Sequence, residues 1–274
     1  MRRKVSGLLL VLSALFFLKA GPASGLSYFG FDDFGGIWHD AEKTLSNTED
    51  DLMCWAAAAS NMLTYTGWGF PAGEGFTGTD DIFAYFQGHW TDSGGSMYYG
   101  AEWWFDGTNN SPGRASGWSQ VDAPGGGFYP GYNFSDYYTW SSYDSIALDN
   151  IDTYLHAGRG VGLAMMGPGA HAITAWGYEY DEFGNYLGVY VTDSDNASDT
   201  DSPADILAYY DIRYSGGGWY LQDFYGSDFW YIGEVHGLAP MPAPVASIPE
   251  PATLLLVGAG LFGLAWVRRR FPKG

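Results

Sequence analysis

Two acids, Asp50 and Asp51, precede the apolar stretch Met53-Cys54-Trp55-Ala56-Ala57-Ala58-Ala59-Ser60-Asn61-Met62-Leu63, which ends at Gly67-Trp68-Gly69. Ala and Leu are the strongest helix formers, and an Asp just upstream offers a carboxylate to the unpaired N–H groups of a first turn. The pattern predicts a buried helix from Cys54 to Tyr65, with Cys54 in its first turn. Asp80–His89 repeats the logic on a smaller scale, with acids at its start, apolar residues at helical spacing and Gly88 near its end. Ser145–His156 has the same period and ends at Gly158. After it the period becomes that of strands: Gly160–Met166, His171–Tyr180 and Tyr186–Asp193, the last two joined by the hairpin turn Asp181-Glu182-Phe183-Gly184-Asn185. Leu207–Tyr214, Trp219–Phe224 and Phe229–Val235 read as further strands, and Gly36–Asp40 as a short early one. Between Trp90 and Tyr143 the mixture of Gly, Ser, Tyr and Trp predicts irregular loops with short strands, packed by their aromatic rings. A helix near the N-terminus followed by a mainly antiparallel sheet is an α+β arrangement.

The two ends follow different rules. Residues 1–25 carry Arg2, Arg3 and Lys4, then a short apolar core around Leu8–Leu12, then small residues, which is the pattern of a secretory signal peptide. Residues 240–248, Pro-Met-Pro-Ala-Pro-Val-Ala-Ser-Ile, read as a stiff linker. Residues 249–274 hold Pro249-Glu250-Pro251, a 16-residue apolar run from Ala252 to Val267, and Arg268-Arg269-Arg270. On its own this is a short transmembrane anchor with a basic flank. The three parts together resemble a PEP-CTERM sorting tail. That resemblance implies transient membrane association, an exosortase-type sorting enzyme as partner, and a secreted protein delivered to the cell envelope or extracellular matrix. Residues 26–239 remain as the functional domain.

The chain has 12 basic and 31 acidic residues, for a net charge of −19. Without the two ends, four basic residues (Lys43, Arg114, Arg159 and Arg213) face 30 acids, a net −26. Such a surface repels phosphate backbones and excludes nucleic acid as a partner. It suits an extracellular protein that meets cations or basic substrates.

Cys54 is the only cysteine. A lone cysteine in a secreted chain is buried and inert, pairs with another chain, or is a reactive thiol. At a helix start, the unpaired N–H groups and the helix dipole favour a thiolate. A base is then required, and five histidines are available: His39, His89, His156, His171 and His236. His171 opens an apolar strand after the turn Gly167-Pro168-Gly169-Ala170, which suits either a cleft-facing base or a structural ring. Asp193 ends the neighbouring strand, 22 residues on, where a hairpin can bring it beside His171. The run Asp193-Ser194-Asp195 also begins like a calcium loop, but Ser198 stands where Gly is required and no Glu closes it.

Three segments in this order resemble the IdeS/Mac family of secreted, papain-like cysteine endopeptidases: Lys43-Thr44-Leu45 leading to Asp50–Leu63, Gly169–Gly177, and Val191–Ala197. The resemblance implies a papain-like fold, with an N-terminal nucleophile helix packed on a mainly antiparallel β-sheet. It implies Cys54 as nucleophile, His171 as general base and acid, Asp193 as the group that orients the imidazole, and Asp195 as a supporting acid. It also implies Lys43 as an oxyanion-stabilising lysine, although here Lys43 lies eleven residues before Cys54. The Cys54 backbone N–H would be the other oxyanion donor. The chemistry implied is acyl transfer from a peptide carbonyl to the thiolate, followed by hydrolysis. Protein or peptide is the expected substrate, and no cofactor or metal is expected. Two other readings stay open: a non-catalytic, aromatic-rich matrix or glycan-binding protein, and an amidase or transglutaminase-like acyl transferase.

Overall fold

The structure, a computed structural model, describes residues 25–44, 50–107, 120–142, 144–195 and 205–243. The signal-peptide segment, most of the Pro-rich linker and the sorting tail lie outside the described residues. Among the described residues, no helix is long and apolar enough to cross a membrane.

Among the described residues, eight strands and five α-helices follow one another as β1 (Leu26–Phe29), α1 (Gly30–Phe34), α2 (Cys54–Thr66), α3 (Thr79–His89), α4 (Met97–Asp106), β2 (Tyr138–Ser141), α5 (Ala147–His156), β3 (Gly160–Met166), β4 (Ala170–Tyr180), β5 (Tyr186–Thr192), β6 (Ala208–Ser215), β7 (Gly218–Leu221) and β8 (Tyr231–Leu238). Six of the strands run in the order β4-β3-β8-β7-β6-β5, and β5 pairs back onto β4. All of these pairings are antiparallel, so the sheet closes into a barrel. This corrects the expectation of a papain-like α+β fold with a nucleophile helix packed on a sheet. The strands fall close to where alternation places them, but β5 hydrogen-bonds β4 on one side and β6 on the other, which leaves a closed wall in place of an open sheet.

Alternation along the strands divides the core in two. Val161, Leu163 and Met165 of β3, Ile173 and Ala175 of β4, Val189 and Val191 of β5, and Ile232 and Val235 of β8 share one apolar cluster with Leu148, Ile151 and Leu155 of α5. The opposite face of the β3–β4–β8 wall meets α2, α3 and α4, with Ala172 and Leu238 in a second cluster beside Trp55, Met62, Phe86, Trp103 and Trp104. Asn61 ties α2 to both neighbours. Its carbonyl accepts from Ala41 N at 2.9 Å, and its amide donates to Thr174 Oγ1 on β4 at 3.0 Å.

Two further expectations change. Met97–Asp106, read from sequence as loop, is a helix capped by Ser96, whose hydroxyl accepts from Tyr98 N at 3.2 Å. Trp103, Trp104 and Phe105 are buried and Tyr99 occupies the exposed side, so no polar face marks the helical period. The segment Gly36–Asp40 forms no strand. The early strand is instead Leu26–Phe29, which pairs with the far half of β4 (Leu26 opposite Tyr180, Phe29 opposite Gly177).

Candidate active site

Cys54 is the first residue of α2, and Met53 stands in the capping position without a side-chain cap. The acid expected to cap the helix folds elsewhere. Asp50, almost fully buried, accepts from Thr44 N at 2.9 Å, from Thr44 Oγ1 and from Gln87 Nε2 at 2.8 Å. The first-turn N–H groups are thus left without a carboxylate, which is the setting that favours a bound negative charge at the thiol.

His171 has the inward parity of Ile173 and Ala175 but sits at the start of β4, at the mouth of the barrel. Asp193, one residue past β5, continues the inward row of Val189 and Val191. The two meet with His171 Nε2 2.6 Å from Asp193 Oδ1, both side chains buried. Cys54 lines the same cleft and also acts on the charge of the imidazole. With Nε2 held by Asp193, the nitrogen left for the thiol is Nδ1. Burial works against a charge on His171, but the hydrogen bonds and charges of Asp193 and Cys54 outweigh it and push its pKa up to about 10. At neutral pH the ring is an imidazolium between two acids.

Tyr225, which the sequence reading passed over, completes the group. Its hydroxyl donates to Asp193 Oδ2 at 3.0 Å and lies 3.4 Å from His171 Nε2. Desolvation, and then the charges of Asp193 and Asp195, push its pKa far up and keep the hydroxyl protonated. Tyr225 holds this place at a positive φ of 52°, a left-handed backbone that costs a non-glycine residue about 1–2 kcal/mol. The only local sign in the sequence is the turn-rich run Asp223-Phe224-Tyr225-Gly226-Ser227-Asp228.

Asp195 lies at the edge of the group, its Oδ2 3.9 Å from His171 Nδ1, while its N–H donates to Asp193 Oδ1 at 3.0 Å. Lys43 Nζ bonds Asp195 Oδ1 at 2.6 Å and the Asp51 carbonyl. Lys43 N also donates to Ser194 O at 3.1 Å, so the lysine braces the segment ahead of α2 against the end of β5. The ligand atoms of His171, Asp193 and Asp195 lie within 4.8 Å of one another, close enough to consider a metal. The donor set argues against that fit, because an ammonium already occupies the cation position at Asp195 and Asp193 is saturated by His171 and Tyr225.

Cys54 and His171 open into a cleft of about 370 Å³. One wall is Trp55 with Gly94-Gly95 laid across it; a Cβ at Gly95 would lie 2.4 Å from the indole, so only glycine fits. Ala164, Ala170 and Ala172 form a floor of small residues, and Tyr225, Trp230, Glu234 and His236 line the β8 side. His39, His89 and His156 lie elsewhere, against Trp176, Tyr85 and Tyr28 respectively.

A thiol at a helix start, sharing a cleft with a buried imidazole that meets a carboxylate, is an arrangement that could serve a cysteine nucleophile with a base and an orienter. Comparison with known families agrees with the family and the tail read from the sequence. Residues 120–220 match the Mac 1 family model, and residues 247–270 match the PEP-CTERM protein-sorting motif. The first match takes in His171, Asp193 and Asp195; Lys43 and Cys54 lie upstream of it. No curated relative matches the chain. The motif at 247–270 supports a secreted, envelope-directed protein recognised by exosortase-type sorting machinery.

Proposed function

We propose that this protein is a secreted, envelope-sorted cysteine endopeptidase that cleaves extracellular proteins through Cys54, His171 and Asp193. The observation that carries the reading is the imidazole of His171, held by Asp193 at 2.6 Å and sharing an open cleft with Cys54. The imidazolium stabilises a thiolate at Cys54, which attacks a peptide carbonyl to form a thioester. His171 delivers its proton to the departing amine, then takes one from the water that hydrolyses the acyl-enzyme. The Cys54 N–H at the start of α2 faces the developing oxyanion. Asp193, fixed by Tyr225 and by the Asp195 N–H, keeps the ring in one orientation. Lys43 serves this centre as a brace on Asp195, its ammonium reaching the loop before the nucleophile.

The test is digestion of a mixed extracellular proteome by the full chain, followed by mass spectrometry of new termini. New termini that vanish with Cys54→Ala support the reading, and termini that persist in that variant contradict it. Transfer of acyl groups to added amines, without new termini, would point to the transferase alternative.

A further inference from the structure

The β8 side of the cleft carries a second imidazole–carboxylate pair that the proposed mechanism does not use. His236 Nε2 lies 3.0 Å from Glu234 Oε2, and His236 Nδ1 lies 2.9 Å from the Tyr138 hydroxyl. His236 and Tyr138 are buried, whereas the Glu234 side chain is about one-third exposed at the cleft. Complete burial, and then the charge of Glu234, raise the Tyr138 pKa well above its ordinary value, so the phenol keeps its proton and donates it to Nδ1. The other ring nitrogen then donates its N–H to Glu234. The hydrogen bond from His236 holds the Glu234 pKa below its ordinary value despite partial burial.

The backbone aims this charge into the cleft. Ala164 of β3 pairs with Glu234 and the next residue, Met165, pairs with Ile232, so β8 carries one extra residue at Gly233. Such a bulge re-aims the side chain beside it. Across the strand pair, Glu234 faces only the small side chain of Ala164, and both residues line the cleft. Among the described residues, no Lys or Arg lines the cleft. The charge of Asp195 is already met by Lys43, which leaves Glu234 as the fixed carboxylate on the β8 side.

We propose that Glu234 forms a subsite for a basic side chain, Lys or Arg, of the peptide bound in this cleft. The proposal rests on reading the cleft as a peptidase active site. The Glu234 carboxylate takes the ammonium or guanidinium group. His236 and Tyr138 are positioning residues that hold the carboxylate in place.

The experiment uses the full chain and a fluorogenic peptide library in which each position in turn holds Arg, Gln or Glu. At one position, wild type should cleave the Arg peptide about 10–100-fold faster than the Gln peptide, the difference expected of one hydrogen bond to a charged partner. Glu234→Gln should collapse that ratio toward one. Glu182→Gln, which removes one exposed hairpin charge, should preserve it. Absence of an Arg preference at every position, its survival in Glu234→Gln, or an equal loss in Glu182→Gln would overturn the subsite. Binding of fluorescein-labelled Arg and Gln peptides to Cys54→Ala, with and without Glu234→Gln, separates the two proposals. Arg-selective binding that depends on Glu234 without any cleavage by wild type would keep the basic subsite and discard the peptidase. Cleavage with no Arg selectivity in either assay would do the reverse.

Discussion

Two imidazole–carboxylate pairs share one cleft, and the third partner of each makes them different. His171 meets Asp193 on one side and a thiol on the other, so two acids pull it into the charged form. His236 meets Glu234 on one side and a phenol that keeps its proton on the other. In the first pair the proton can move to a reacting group; in the second both ring nitrogens are held by side chains without a nucleophile, and the carboxylate stands partly exposed at the cleft. Residue types alone therefore do not define the chemistry of a His–acid pair. The group at the second nitrogen does.

The comparison breaks most severely at the first pair. Cys54→Ala and His171→Ala should each lower peptide cleavage on the order of 10³-fold or more, as expected of residues that act as one unit. His236→Gln should leave the thiol reactivity of Cys54 at its wild-type level while weakening peptide affinity; an equal collapse of thiol reactivity would show that the pairs are not distinct. Asp193→Asn should cost roughly 10²–10⁴-fold in kcat, the range of a lost acid–base arrangement, and should lower the pH at which His171 titrates by NMR. Tyr225→Phe removes one hydrogen bond to a charged acceptor and should cost about 10-fold in kcat with little change in KM. At the second pair, Tyr138→Phe leaves Nδ1 of a buried ring without its donor. It should cost about 1–3 kcal/mol in chemical denaturation, with the Cys54 alkylation rate retained.

Stability against pH sharpens the same contrast at a smaller scale. The pKa of His171 rises from 6.5 in the unfolded chain to about 10 in the fold, so its contribution is fully present below pH 6.5 and is lost as pH climbs toward 10. Asp40 shares that sign. Burial raises its carboxyl above 3.8, and neighbouring Glu42 raises it further, so ionising it costs folded-state stability as pH rises. The neighbouring Glu42 carboxyl is a hydrogen-bond partner of Asp40, a contact that needs a proton on one of the two, in keeping with that cost. The melting temperature should fall from mildly acidic to alkaline pH, and Asp40→Asn should flatten the fall. A melting temperature that climbs with pH in the wild type would contradict both assignments.

Much of the barrel was legible because its strands alternate or run apolar over short lengths; β3 is placed by its sequence residue for residue. Closure was not, because it depends on β5 choosing β4 and β6 together, a pairing that no local pattern encodes. Helix α4 was hidden by its own composition, since Trp103, Trp104 and Phe105 are all buried and leave no polar stripe to read. At the site, His171 and Asp193 stood out as polar residues at the ends of apolar strands joined by one hairpin. Tyr225 reaches the same pair from 32 residues beyond Asp193, and Tyr138 reaches His236 across 98 residues. Such contacts are made where chain-distant segments meet, the β7–β8 turn at the mouth of the barrel and β2 alongside β8, and sequence spacing does not announce them. Asp50 misled for a local reason: the expected cap has better partners in Thr44 and Gln87.

The central claim is that His171 holds Cys54 as a reactive thiolate, and the rate of alkylation by iodoacetamide at pH 5 tests it most directly. An unassisted thiol is almost entirely protonated there, its ordinary pKa being about 8.5. The expected result is fast labelling of Cys54 in the wild type and labelling at least about 10-fold slower in His171→Ala, with His236→Gln labelled at the wild-type rate. Equally slow labelling in wild type and His171→Ala would contradict the account.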